Sequence, residues 1–198
     1  QAKEALALSS EFLIKYPRSP ELYNFRGVLN SALQNFQLAE EEYKIALSCD
    51  HYFYQAHYNL GNLYKKLGKL RKARFSFETA IKVKTGYFQA YNNLGTLFHE
   101  LGQYDEAVDN FKRAIQLNPS YYQAYNNLGS SLQDIGDIDS AIENYQEAIN
   151  LKSDFAEAHY NMGIALTSLE KFDQSIASYK AATQANPNYV DAFNNTGN

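Results

Sequence analysis

Ala90 to Pro119 reads AYNNLGTLFHELGQYDEAVDNFKRAIQLNP, two amphipathic stretches joined across a glycine. Numbering Gly95 as position 8 of a repeating unit puts Tyr91, Leu94, Gly95 and Phe98 at positions 4, 7, 8 and 11. At about 100° per residue these fall in one sector, the pattern of a helix with a single buried stripe. Ala107, Phe111, Ala114 and Ile115, at positions 20, 24, 27 and 28, repeat that spacing in the second stretch. Between them Gly102, at position 15, suits the left-handed residue that ends a helix, and Asp105, at position 18, suits a helix start. The segment predicts a helix-turn-helix.

Outward from this hairpin the same pattern recurs in both directions. Gly27, Gly61, Gly95, Gly129, Gly163 and Gly197 are each separated from the next by 34 residues, with no insertion. Position 20 holds Ala39, Ala73, Ala107, Ala141 and Ser175, and position 24 holds Tyr43, Phe77, Phe111, Tyr145 and Tyr179. Gly68 and Gly136 repeat the hairpin glycine, and Asp139 and Asp173 the first-turn acid. A glycine inside a helix costs about 1 kcal/mol against alanine. Its return at position 8 therefore predicts close helix approach, with the position-24 aromatic filling the space beside it. The units run 20–53, 54–87, 88–121, 122–155 and 156–189, preceded by a lone second helix within 1–19 and followed by a first helix begun at 190–198. The chain is thus expected to be a piece of a longer array, whose uncovered ends would promote head-to-tail homo-oligomers.

These residues resemble the tetratricopeptide repeat (TPR) family, whose pattern has a large aromatic, Leu-Gly, a second large residue, Gly-x-Tyr, Ala, an aromatic, Ala and a closing Pro at these positions. The resemblance covers essentially the whole chain and implies an all-α fold, an α-solenoid of stacked hairpins forming a right-handed superhelix. Departures are mild: Tyr or His replaces the frequent Trp at position 4, His51, Thr85 and Ser153 replace Pro at position 32, and Arg26 and Asn30 interrupt the first unit.

With 45% hydrophobic residues over 198, the chain can bury a core, and a formal charge of -4 argues against nucleic acid or an anionic membrane as partner. No apolar run reaches the ~20 residues that span a bilayer. Cys49 alone excludes a disulfide framework within the chain and fits a reducing, cytoplasmic compartment. Cys49 takes a core position. His57 and His159 stand at position 4 as packing residues, His99 on the flank of its helix and His51 at a repeat junction, so the four converge on no metal. No nucleophile, base and acid come together, no phosphate loop is present and no cofactor is implied; the chain is expected to carry no active site.

Positions 2, 6, 9 and 13 lie opposite the buried stripe of the first helix. Position 6 is Asn59, Asn93, Asn127, Asn161 and Asn195, with Phe25 in the first unit. Asparagine is a poor helix former and mid-helix cannot cap, so local structure does not ask for it. It could bond its neighbours across adjacent first helices. It could instead pair, as donor and acceptor at once, with the N–H and C=O of an extended peptide. First helices ~8–10 Å apart and a strand rise of ~3.3 Å give one Asn about every third peptide residue. The row resembles the asparagine ladder of the O-GlcNAc transferase family. Asn62 at position 9, Asn92, Asn126, Tyr58 and Tyr160 at position 5, and Gln89 and Gln123 at position 2 complete the candidate site. Those positions lack the Lys and Arg with which relatives of the family clamp the acidic tail of chaperones. The expectation is a scaffold for a protein or peptide partner. Alternatives are the substrate-recruiting region of a larger glycosyltransferase or sulfotransferase, or a self-assembling structural array.

Charge is uneven along the chain. Lys65, Lys66, Lys69, Arg71, Lys72, Arg74, Lys82 and Lys84 face one acid, Glu78, whereas Asp134 to Glu157 is acidic. Solvated outer faces, or orientation of a partner, would account for it.

Overall fold

The computed structural model describes residues 2–196; Gly197, the last of the glycine series, lies outside them. Twelve helices are formed among the described residues, with no strand. The chain divides into two compact units, Gln1–Leu94 and Gly95–Asn198. The first holds α1 (Ala2–Lys15), α2 (Pro20–Ala32), α3 (Phe36–Cys49), α4 (Tyr54–Lys66) and α5 (Leu70–Val83). The boundary falls inside α6 (Phe88–Glu100). The second unit continues with α7 (Tyr104–Leu117), α8 (Tyr122–Ile135), α9 (Ile138–Leu151), α10 (Ala156–Ser168), α11 (Phe172–Ala185) and α12 (Val190–Thr196). Even-numbered helices begin at position 1 of a repeat and odd-numbered ones at position 17.

The glycine series has the expected cause. A Cβ on Gly61 would stand 2.5 Å from two ring carbons of Phe77, and one on Gly95 would stand 2.8 Å from Phe111. The position-24 ring therefore rests directly on the first-helix backbone, which only glycine permits. At the hairpin turn Gly68, Gly102 and Gly136 have φ of 68°, 71° and 96°. Gln34 and Glu170 occupy the same position with φ of 63° and 59°. A side chain there costs roughly 1–2 kcal/mol, so the geometry of the turn is imposed by packing even where the sequence does not supply glycine.

The acids at position 18 stand at helix starts as expected: Asp105, Asp139 and Asp173 lie in the first turn, where a carboxylate favours the positive end of the helix dipole. The N-caps of α3, α5, α7, α9 and α11 fall at position 16, and among these Asp137 caps with its side chain, accepting from Ser140 N–H at 3.3 Å. One expectation is corrected. The buried arc of the first helices is wider than a single stripe. Ala56, Ala90, Ala124, Ala158 and Ala192 at position 3 are fully enclosed, whereas position 4 is half-buried in the five full units and exposed at Phe193. Within the second unit α8 packs against α7, α9 and α10, so three sides of a first helix are covered and one stripe cannot describe them. His57 and His159 each place Nε2 about 3 Å from a carbonyl of the preceding turn, that of His51 or Ser153.

Candidate functional site

A first helix with three packed sides leaves one face, and position 6 lies on it. In the first unit Asn59 donates through Nδ2 to Oδ1 of Asn24 at 2.8 Å, and Asn93 donates to the hydroxyl of Tyr58 at 3.0 Å. In the second unit Asn161 donates to Oδ1 of Asn126 at 3.0 Å. Each bond links position 6 to position 5 of the preceding repeat, 35 residues back. Asn195 is likewise hydrogen-bonded to Tyr160, whose hydroxyl is pushed upward in pKa, first by burial and then by Asp191 and Tyr179. The first of the two roles weighed for asparagine, bonding across adjacent first helices, is thus present.

These bonds fix which amide atoms remain for a partner. Asn93 spends both Nδ2 hydrogens, one on Tyr58 and one on Oδ1 of Asn62 at 2.7 Å, while its Oδ1 accepts from Asn92 at 3.2 Å. A carbonyl oxygen has two lone pairs, so what Asn93 retains is acceptor capacity. At position 2, Gln55, Gln89 and Gln123 have their side-chain oxygens enclosed without a hydrogen-bond partner.

The position-5 residues are placed differently from the expectation. Asn92 is 5% and Asn126 2% exposed, so both side chains are buried instead of lying open on the surface. Asn126 bridges Asn161 on one side and, through Nδ2, Glu157 at 3.2 Å on the other. Tyr58 packs its ring edge-on to Tyr87 at 5.0 Å, and Tyr160 lies against Tyr189 at 4.9 Å. These side chains brace position 6.

Position 6 and its neighbours line clefts at the junctions. In the first unit a cleft of about 350 Å³ is lined by Val28, Ser31, Tyr43, Asn59, Asn62 and Lys66. In the second unit Thr96, His99, Phe111, Asn127, Ser130 and Glu157 line one of about 180 Å³, and Thr167, Ser175, Tyr179 and Asn195 line part of another of about 310 Å³. All three combine positions 12 and 24 of one repeat with position 6 of the next. His99, expected on the flank of its helix, places Nδ1 2.9 Å from the Ser131 hydroxyl and Nε2 3.5 Å from Asp134. Position 12 becomes a groove residue only once the neighbouring repeat is in place.

No helix among the described residues is long and apolar enough to cross a membrane. Helical hairpins of constant length, stacked within each unit and presenting an amide-lined face, define a repeat scaffold for protein interaction. The tetratricopeptide repeat model matches residues 54–84, 88–121 and 156–189, half of the chain between them. Related TPR models match 110–143 and 129–169. The chain belongs to the tetratricopeptide repeat family.

None of the curated proteins matches it in sequence. Solved structures do in fold. YrrB, described as a TPR protein with an unusual peptide-binding site, superposes with a TM-score of 0.72 at 22% identity, over 94% of this chain and 96% of that one. MamA superposes at 0.73 with 27% identity, over 83% and 96%. PilF of Pseudomonas aeruginosa superposes at 0.81 with 19% identity, over 87% and 79%.

Proposed function

We propose that the amide-lined face of each unit binds an extended peptide segment of a partner protein, reading backbone more than side chains. The observation that carries the proposal is the bonding of position 6. Asn93 spends both Nδ2 hydrogens on Tyr58 and Asn62 and keeps acceptor capacity on Oδ1. An extended peptide carries alternating C=O and N–H groups, and the asparagine oxygen accepts from the amides. The expectation that each asparagine serves as donor and acceptor together narrows to acceptance at Asn93. Asn59, Asn62, Asn127, Asn161 and Asn195 supply the remaining polar contacts, with Tyr58, Tyr160, Asn92 and Asn126 acting from behind by fixing their orientation. YrrB lends fold kinship, and peptide binding rests on these side chains alone.

The test is selection of a peptide from a random displayed library, followed by its affinity for the chain and for Asn93→Ala/Asn127→Ala/Asn161→Ala. The triple variant removes one contact from the face of the first unit and two from that of the second, so at about 1 kcal/mol each binding weakens by about fivefold or about thirtyfold according to the unit the peptide occupies, with helicity by circular dichroism retained. Equal affinity in the triple variant, or no selectable peptide, overturns the proposal.

A further inference from the structure

The second repeat departs from its neighbours on the outer side, away from the asparagine face. The position-22 side chain is Glu41, Asp109 and Glu143 in three other repeats and Ala177 in a fourth, but Phe75 here. Position 18 is Asp105, Asp139 and Asp173 in the later repeats, but Arg71 here. The same helix face, on the same scaffold, has exchanged acids for a cation and a large aromatic. Phe75 is 70% exposed. Phe77, two residues on, fills the core, so the hairpin does not need Phe75 for packing.

Phe75 edges a cleft of about 380 Å³ within the first unit, whose wall is mostly carbon. Leu47 of α3, Leu60 and Tyr64 of α4 and Phe75 of α5 form it, with Arg71 and Lys72 at the rim. That volume lies in the range of ligand pockets, about 300–1,000 Å³, and accepts one large apolar side chain. Lys69 is held by Glu40 at 3.6 Å and Arg74 by Glu78 at 2.7 Å. Arg71 and Lys72 are in no ion pair among the described residues, and Lys72 lies 5.4 Å from the centroid of the Tyr64 ring. Two uncompensated cations at the rim of an apolar cleft fit an occupant with the reverse character.

We infer that this outer cleft of the second repeat is a second docking site, taking an acidic peptide segment anchored by one large apolar side chain. The anchor enters between Leu47, Leu60, Tyr64 and Phe75, and flanking carboxylates pair with Arg71 and Lys72. Charge complementarity selects this occupant over another copy's apolar surface, and a pocket that holds one side chain selects a peptide over a lipid surface. The site lies on the face of α4 opposite Asn59 and Asn62, so it operates independently of the amide face.

The test is fluorescence anisotropy with a short labelled glutamate-rich peptide carrying a single central phenylalanine, on the full chain. Binding is expected to fall as salt is raised and to weaken by about tenfold or more in Arg71→Asp and in Phe75→Glu, each of which installs an acid that other repeats carry at that position. The peptide with serine in place of phenylalanine is expected to bind at least about tenfold more weakly. Asn93→Ala/Asn127→Ala/Asn161→Ala is expected to bind the acidic peptide unchanged, which separates this site from the amide face. The inference is overturned by absence of binding, by binding indifferent to Phe75→Glu, or by equal binding of the serine peptide. It is likewise overturned if only vesicles of phosphatidylcholine and phosphatidylserine, only a single-stranded oligonucleotide, or only a second copy of the chain engages Phe75.

Discussion

Alanine in place of Gly61 sets two effects of opposite sign against each other. In the helix interior alanine is favoured over glycine by about 1 kcal/mol, so on propensity alone the change would stabilise. The new Cβ, however, stands 2.5 Å from Cδ1 and Cε1 of Phe77, whose ring is fully buried. Ordinary contact begins near 3.4 Å, so ring and helix must separate by about 0.9 Å in a place with no room to yield. Overpacking of this kind costs about 1–3 kcal/mol, and the depth of the overlap places Gly61→Ala in the upper part of that range. The net expectation is destabilisation by about 1–2 kcal/mol, read as a Tm lowered by about 2–8 °C and a lower urea midpoint. Repeat arrays depart from two-state unfolding, so the comparison rests on midpoints and on a mutant cycle. Phe77→Leu is expected to cost less in the Gly61→Ala background than alone, with a coupling of about 1 kcal/mol. Gly86→Ala, where a Cβ meets nothing within 4 Å, is the control and is expected to be neutral or stabilising by up to about 1 kcal/mol. A Gly61→Ala chain that melts higher than the parent, or a cycle with no coupling, refutes the claim that the position-8 glycines exist to seat the position-24 ring.

Three further outcomes follow from the same geometry. Gln34→Gly and Glu170→Gly relieve a left-handed side chain at positions with φ of 63° and 59°, and each is expected to stabilise by about 1 kcal/mol in thermal melts; destabilisation would contradict the strain. Burial pushes the hydroxyls of Tyr43 and Tyr145 well above the ordinary range and those of Tyr64 and Tyr189 up to about 12. Because the unfolded value is about 10, the stability they contribute is whole below about pH 10 and is lost as pH rises beyond it; tyrosinate absorbance is expected to rise together with loss of helicity, and full ionisation of a folded chain would contradict it. Val190 and Phe193 of α12 are 66% and 67% exposed; if they support association between copies, Val190→Ser/Phe193→Ser lowers the weight-average mass at high concentration in sedimentation, and an unchanged mass excludes them.

The period, the hairpin and the glycine-aromatic contact were legible because each depends on residues within one repeat of 34. What escaped depends on the neighbouring repeat. The enclosure of position 3 arises because a preceding second helix closes over the alanines, a contact no helical wheel contains. Likewise Asn126 reads as an exposed amide until Asn161, 35 residues on, is bonded to it. The left-handed turn at Gln34 and Glu170 was hidden for another reason, since the sequence signal for that conformation is glycine and neither position has it. For the candidate site, position 6 was legible as an anomaly of composition, but which amide atom it offers depends on bonds formed between helices.

The most direct measurement of amide-to-backbone recognition is an N-methyl scan of a selected peptide, which removes one backbone N–H at a time and leaves every side chain in place. The predicted result is a loss of affinity recurring at about every third residue, the spacing of first helices ~8–10 Å apart, and abolished where Asn93, Asn127 and Asn161 are replaced by alanine. A scan in which affinity follows the peptide's side chains and ignores methylation contradicts it.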